Sequence, residues 1–367
     1  MSSYAERRAR LVAALDTAEL DALIVTHPPN VRYLTGYIGS NGIGVIGRNG
    51  ERLLTDSRYA VSARHQVGDD VEVVIGPGDL TAVLARAVVA LAPGGRVGLE
   101  AAHTSMLRGA QIAASLTARD PAIQVISDVG RVEALRVIKD DDEIASIARA
   151  AEMVDAALAS VLAAGIVGRR ERDVAFGLCT ELFQLGAEGP SFEIIVAAGP
   201  NGAKPHAVPG ERVIADGELV VIDLGAIADG YCSDMTRTVP TGPLPDTLTR
   251  AYAVVAQAQA AALAAVRPGI TCAALDAVAR DVITAAGLGE AFGHGLGHGV
   301  GLEIHEAPRV SREGTETLRP GMVVTIEPGI YLEGVGGVRI EDLVVVTEDG
   351  ARVLSHSPKP SVSSITG

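Results

Sequence analysis

Three histidines fall within residues 293–305, GHGLGHGVGLEIH, of a chain that has eight in all. Imidazoles crowded onto a glycine-rich backbone suit a site built around a metal ion or a transferable proton. The stretch alone leaves a polar turn open as an explanation. Four carboxylates narrow the choice: Asp223 and Asp234 in VVIDLGAIADGYCSDMTRT, Glu327 in VVTIEPGIY and Glu341 at the end of GVRIE. Three of them lie in or directly after aliphatic or β-branched runs, and Asp234 falls in the strand-like stretch that follows the first. A carboxylate on a buried strand is costly unless it is paired, protonated or bound to a cation. A cation accounts for all four at once.

Asp223 and Asp234 occupy successive strand-like runs separated by AIADGY. Antiparallel strands joined by a hairpin would bring both carboxylates to one point. Four carboxylates and a histidine form an oxygen-rich donor set, suited to Mn²⁺, Co²⁺, Fe²⁺ or Zn²⁺ and unlike a thiolate site. Four negative charges are too many for one divalent ion and match two. Two such ions acidify a shared water and polarise a carbonyl, so the chemistry expected is metal-assisted hydrolysis.

The elements that must position these residues lie beyond about residue 130. Up to residue 127 the chain alternates amphipathic helices (AERRARLVAAL, LTAVLARAVVAL) with short aliphatic strands (DALIV, GVIGR, RLLTD, VEVVI, RVGLE). That alternation predicts an α/β domain over residues 1–129. After Lys139, four acids open a helix whose Ile144, Ile147, Ala151, Val154 and Leu158 recur at three- and four-residue spacing. Strands containing EIIVAAG and ELVVIDLGAI come next, then helices over residues 246–267 and 271–286, with Thr271 a candidate N-cap, and finally the strands of MVVTIEPGIY and VRIEDLVVVT. Residues 130–367 therefore read as an α+β domain whose sheet collects the acids.

Composition excludes several classes. A formal charge of −14, with no long basic run, excludes nucleic acid as a partner. Aromatics amount to 3%, without Trp, which leaves no stacking platform for bases. The amino terminus lacks the apolar core of a signal peptide, and the Ala-rich stretches are interrupted before membrane-spanning length. Three widely spaced cysteines without a CxxC pair suit free thiols in a reducing compartment. The expectation is a cytoplasmic protein with no membrane partner. HExxH is absent, and the GxGxG here neither follows a strand nor opens a helix, so zincin and dinucleotide-binding readings fail.

In order and spacing, IVAAGPNGAKPHAVPG, VVIDLGAIADGYCSDMTRT, GHGLGHGVGLEIHEAP, TIEPGIY and GVRIEDLVVVT resemble the pita-bread metallopeptidases. The specific likeness is to their proline-specific branch, the Xaa-Pro aminopeptidases and Xaa-Pro dipeptidases. The resemblance spans about residues 135–360. PNVRYLTGYIGSNG and LLTDSRY resemble the creatinase-type amino-terminal domain of that branch. It implies that Asp223 chelates one metal, Asp234 and Glu341 bridge two, and His298 with Glu327 holds the other, with Mn²⁺ ahead of Co²⁺, Zn²⁺ or Fe²⁺. By the same resemblance His206 binds the scissile carbonyl and stabilises the oxyanion, and His294 lies near the substrate's proline. His305 donates to the substrate carbonyl or the collapsing intermediate, and Arg339 orients a ligand carboxylate. Relatives commonly form dimers or tetramers through their amino-terminal domains, and the substrates implied are proline-containing peptides.

Retention of all five ligand positions disfavours a metal-free creatinase-like amidinohydrolase and a non-catalytic binding protein. Arg339, where methionine aminopeptidases carry Gln, and the full amino-terminal domain disfavour that branch too. A dipeptidase must capture the free carboxylate of its substrate's proline, most simply with an Arg, for which Arg309 and Arg58 are candidates. The GYIGSNG and TDSRY texture favours an aminopeptidase, with the dipeptidase as the alternative.

Overall fold

The computed structural model describes residues 3–360. The chain divides into two compact units, residues 1–136 and 137–367.

In the first unit, six strands form one mixed sheet in the order Glu72–Gly76, Gly50–Asp56, Gly42–Gly47, Ala22–Val25, Arg96–Glu100, Gln124–Asp128. Ala22–Val25 runs parallel to Arg96–Glu100 and antiparallel to Gly42–Gly47. Helices Thr81–Leu91 and Met106–Arg119 turn Val83, Leu84, Val88, Ile112 and Leu116 onto Ile24, Val45, Leu54 and Val97. Burying each such side chain contributes roughly 1.5–3 kcal/mol. This is the α/β domain expected from the strand and helix runs. Its limit differs from the 129/130 boundary expected, because helix Arg131–Arg136 packs back onto its own unit. Val132 and Arg136 are buried, Arg136 donates to Asn30 Oδ1 at 2.7 Å, and Arg131 donates to Ala14 O at 3.2 Å. Gly130, at φ +72°, is a turn into that helix and not a linker.

The second unit opens with helix Asp141–Ala163, fixed by a complete capping box between Asp140 and Glu143. Two larger cores follow one plan. Helices Asp141–Ala163 and Glu171–Gln184 cover an antiparallel sheet of Ile195–Ala198, Leu219–Leu224 and Met235–Pro240. Helices Asp246–Ala265 and Cys272–Ala285 supply the other, against strands that include Val323–Ile326 and Asp342–Val346. Thr271 caps the second of these helices, its hydroxyl accepting from Ala274 N. Glu341 N donates to Thr236 O at 3.1 Å, stitching the two sheets together where the acids lie. The α+β reading of this half is met.

Candidate metal centre

Asp223 lies within strand Leu219–Leu224, opposite Thr236 of strand Met235–Pro240, and Asp234 immediately precedes that second strand. The two strands are antiparallel neighbours, as the spacing predicts. The connection is not one simple turn: Ala226–Ala228 and Tyr231–Cys232 make their own hairpin around Asp229 and Gly230, whose φ values are +48° and +74°. Positive φ at both central residues is the type I′ geometry that favours Asp-Gly. His298 is the middle residue of Gly297–Gly299. Glu327 follows Val323–Ile326, and Glu341 sits between Gly336–Arg339 and Asp342–Val346. The ligand candidates thus sit at or near strand ends, where the backbone is fixed but the side chain can leave the sheet.

These residues line one cavity of about 660 Å³, together with His206, His294, His305, Arg309 and Arg339. All ten residues singled out by the sequence as the site are therefore in one place. Asp234, His298 and Glu341 each offer a ligand atom within 4.8 Å of the other two. Arg58 belongs to the first unit and is committed there, bidentate to Asp56 at 2.9 and 2.8 Å.

Electrostatics in the cavity are unbalanced. The four ligand-candidate carboxylates have one guanidinium, that of Arg339, against them, while Arg309 lines the same cavity without an acidic partner among the described residues. Arg339 Nη2 donates to Asp223 Oδ2 at 2.5 Å, and burial of Arg339 is outweighed by Asp223 and its other neighbours, so its pKa rises further. Burial, followed by the neighbouring carboxylates, raises Asp234 and Glu341 well above the ordinary carboxylate range. Glu327 is pushed up to about 7 by burial, with Arg339 opposing and Asp223 adding. Asp223 Oδ1, Asp234 Oδ1 and Glu341 Oε1 are buried without a hydrogen-bond partner. An orphaned buried acceptor costs on the order of 1–3 kcal/mol. Three of them on the wall of one cavity, with ligand atoms of Asp234 and Glu341 within 4.8 Å of one on His298, fit a divalent cation, which would satisfy the oxygens and replace the protons.

The histidine is prepared for the same role. His298 Nδ1 lies 3.0 Å from Gly299 O, an acceptor only, so Nδ1 carries the proton. Nε2 then turns a lone pair toward Asp234 Oδ2 and Glu327 Oε1, 3.6 and 3.5 Å away. Burial lowers the His298 pKa to about 4, keeping the ring neutral and able to ligate.

The other imidazoles differ. His294 has both nitrogens engaged, Nδ1 with Gly295 O at 2.8 Å and Nε2 with Tyr331 Oη at 3.0 Å. It offers a substrate its ring and no free nitrogen. His305 lies edge-on to His298, with centroids 4.3 Å apart, and burial, followed by the nearby His206, lowers its pKa. His206 is exposed on the PHAVPG loop at the cavity wall.

Sequence reasoning missed two contributors. Tyr331 Oη accepts from Arg339 Nη1 at 2.9 Å and reaches His294. Thr236 Oγ1 donates to Glu341 Oε2 at 2.7 Å and accepts from Arg339 Nε at 2.9 Å. Both lie inside the motifs TIEPGIY and SDMTRT, but a hydroxyl at a strand position carries no signal until its partners are placed.

Residues 145–348 match the sequence pattern described as Metallopeptidase family M24, and residues 7–138 match the Creatinase/Prolidase N-terminal domain. The chain belongs to metallopeptidase family M24. This M24 enzyme, a metallo-exopeptidase, is 41% identical over 340 residues to the uncharacterised peptidase YqhT of Bacillus subtilis (strain 168), covering 93% of this chain and 95% of that one. A Xaa-Pro dipeptidase from Bacillus anthracis superposes with a TM-score of 0.92 at 38% identity, covering 97% and 99% of the two chains. An X-Pro aminopeptidase from Thermotoga maritima MSB8 superposes at 0.87 and 34%, covering 96% and 99%. The M24 fold, a creatinase amino-terminal domain followed by a pita-bread domain, is the one the sequence resemblance implies. Among the described residues no helix is long and apolar enough to cross a membrane.

Proposed function

We propose that this M24 peptidase hydrolyses the bond between an amino-terminal residue and a following proline, as a Xaa-Pro dipeptidase. Asp223, Asp234, His298, Glu327 and Glu341 would hold two divalent cations, Mn²⁺ ahead of Co²⁺, Zn²⁺ or Fe²⁺ for so oxygen-rich a set. When bound, the cations supply Lewis acidity and acidify a water. The protein's own groups do the rest. Arg339 holds Asp223 in place, and Thr236 holds Glu341. His206 and His305 line the cavity with ring nitrogens that no other described residue engages, and these would serve the substrate carbonyl and the oxyanion that develops from it. His294, fixed by Tyr331, forms a wall for the proline ring.

Arg309 carries the choice of dipeptidase. It lies directly across from His298 in the strand pairing, lines the cavity, and its exposed guanidinium makes no hydrogen bond or ion pair with another described residue. A free guanidinium beside the site is what capture of a proline carboxylate requires. The aminopeptidase expected from GYIGSNG and TDSRY loses its basis, because those residues hold one another. Asn41 Nδ2 donates to Asp56 Oδ2 at 2.6 Å, and Tyr37 Oη lies 2.7 Å from Thr55 Oγ1. Their pattern reflects packing within the first unit and says nothing of substrate length. The names of the relatives accord: the Bacillus anthracis dipeptidase superposes at least as well as the Thermotoga maritima aminopeptidase.

The test is an assay with Mn²⁺, with and without chelator, of a Xaa-Pro dipeptide and a Xaa-Pro-Xaa tripeptide. The dipeptide is cleaved faster, and Arg309→Ala raises its KM roughly 10- to 100-fold, the cost of one charge-assisted contact. Preference for the tripeptide in the unaltered enzyme restores the aminopeptidase. The free thiols suit a cytoplasmic enzyme, and a homodimer or homotetramer completes the proposal, to be checked by light scattering.

A further inference from the structure

We infer that the buried ion pair between Lys139 and Glu306 positions His305, a role that rests on the proposed function. Lys139 Nζ donates to Glu306 Oε2 at 3.0 Å, with side chains only 1% and 6% exposed. Desolvating two charges costs several kcal/mol each, and well-packed apolar residues stabilise such a spot as well or better. Stability alone therefore does not account for the pair.

Its surroundings account for it as a directional anchor. Glu306 directly follows His305, and its second oxygen, Oε1, accepts from Glu303 N at 3.1 Å. Gly301 N donates to Glu303 O at 3.1 Å, and Gly301 O accepts from Cys232 N at 2.8 Å. A Cβ on Gly301 would lie 2.6 Å from both Glu306 oxygens, so the carboxylate fills the space under the loop of residues 301–305 and only glycine admits it. Lys139 is itself fixed: its N–H donates to Gly321 O at 2.9 Å, and the next residue caps helix Asp141–Ala163. The His305 ring makes no hydrogen bond to another described residue, its contact being the edge-on one with His298. The place of that ring is thus set by its backbone. The backbone is tied through Glu306 and Lys139 to the start of a long helix.

Glu306 touches no reacting atom in this scheme; it acts through His305. The experiment is a double-mutant cycle on the Mn²⁺-loaded full chain, reading kcat, KM for a Xaa-Pro dipeptide, and Mn²⁺ bound by titration of the metal-free protein. Glu306→Gln and Lys139→Met each lower kcat by about 10- to 100-fold, the scale of a misplacement of about 1 Å. KM and bound Mn²⁺ stay unchanged. In the His305→Ala background Glu306→Gln produces no further loss, because the group it positions is gone. An equal loss in both backgrounds, a loss of bound Mn²⁺, or normal kcat in Glu306→Gln each overturns the inference. Normal kcat in His305→Ala overturns both the inference and the reading of His305 beneath it. Where Glu306→Gln does not fold, the double variant Lys139→Met with Glu306→Met, an apolar replacement of the pair, enters the same cycle with the same outcomes.

Discussion

Each carboxylate at the centre is unremarkable alone; their mutual distances make the chemistry. Asp234, Glu327 and Glu341 are buried among one another, so without a cation they retain protons into a pH range where an exposed carboxylate has lost them. The sign of the consequence follows. Glu327 titrates near 7 in the fold against an ordinary 4.5, so the unfolded chain gives up that proton first. Stability from this group is present below about pH 4.5 and is lost as pH rises through about 7. Metal-free enzyme should therefore lose roughly 1–3 kcal/mol relative to metal-free Glu327→Gln between those limits, read as diverging unfolding midpoints. A difference that does not change with pH would contradict the burial described. Mn²⁺ should remove the divergence, because ligation requires the deprotonated carboxylate.

At the scale of elements, the glycines around His298 serve the sheet. Their alternation suggests backbone left bare so that a peptide can approach the metals, but the structure gives Gly297 another reason. A Cβ there would stand 2.0 Å from Thr325 O in the facing strand. The strand bearing His298 must press this close because His298 N donates to Thr325 Oγ1 at 3.0 Å, and the same hydroxyl donates to Glu327 Oε1 at 3.2 Å. One threonine thus sets two ligand candidates at once. Gly297→Ala should push the strands apart, destabilising the fold by about 1–3 kcal/mol in denaturant unfolding and weakening Mn²⁺ uptake with it. Uptake at wild-type affinity in that variant would show that the spacing of these strands does not set the site.

For the whole molecule, the hydrophobic cores described fall within one unit or the other, and all ten residues of the candidate site lie in the second. Residues 137–367, expressed alone, should fold cooperatively and bind Mn²⁺, while residues 1–136 bind none; calorimetric titration of each decides it. Failure of the larger piece to bind would assign part of the site to the first unit. Sequence by itself marked the candidate donor set and the two-domain plan, because Asp223, Asp234, His298, Glu327 and Glu341 sit in short motifs of fixed spacing, and helix and strand periodicity is a local property. It also marked Thr271 as an N-cap and the acids after Lys139 as a helix start, since such end signals are read within a few residues. Tertiary structure alone decided the domain limit, because Arg136 finds its partner Asn30 more than a hundred positions away. It likewise decided the parts played by Tyr331, Thr236 and Lys139, the free state of Arg309 and the tautomer of His298. A hydroxyl, an ammonium or an imidazole is defined by the group it meets, and folding brings those groups together from distant segments.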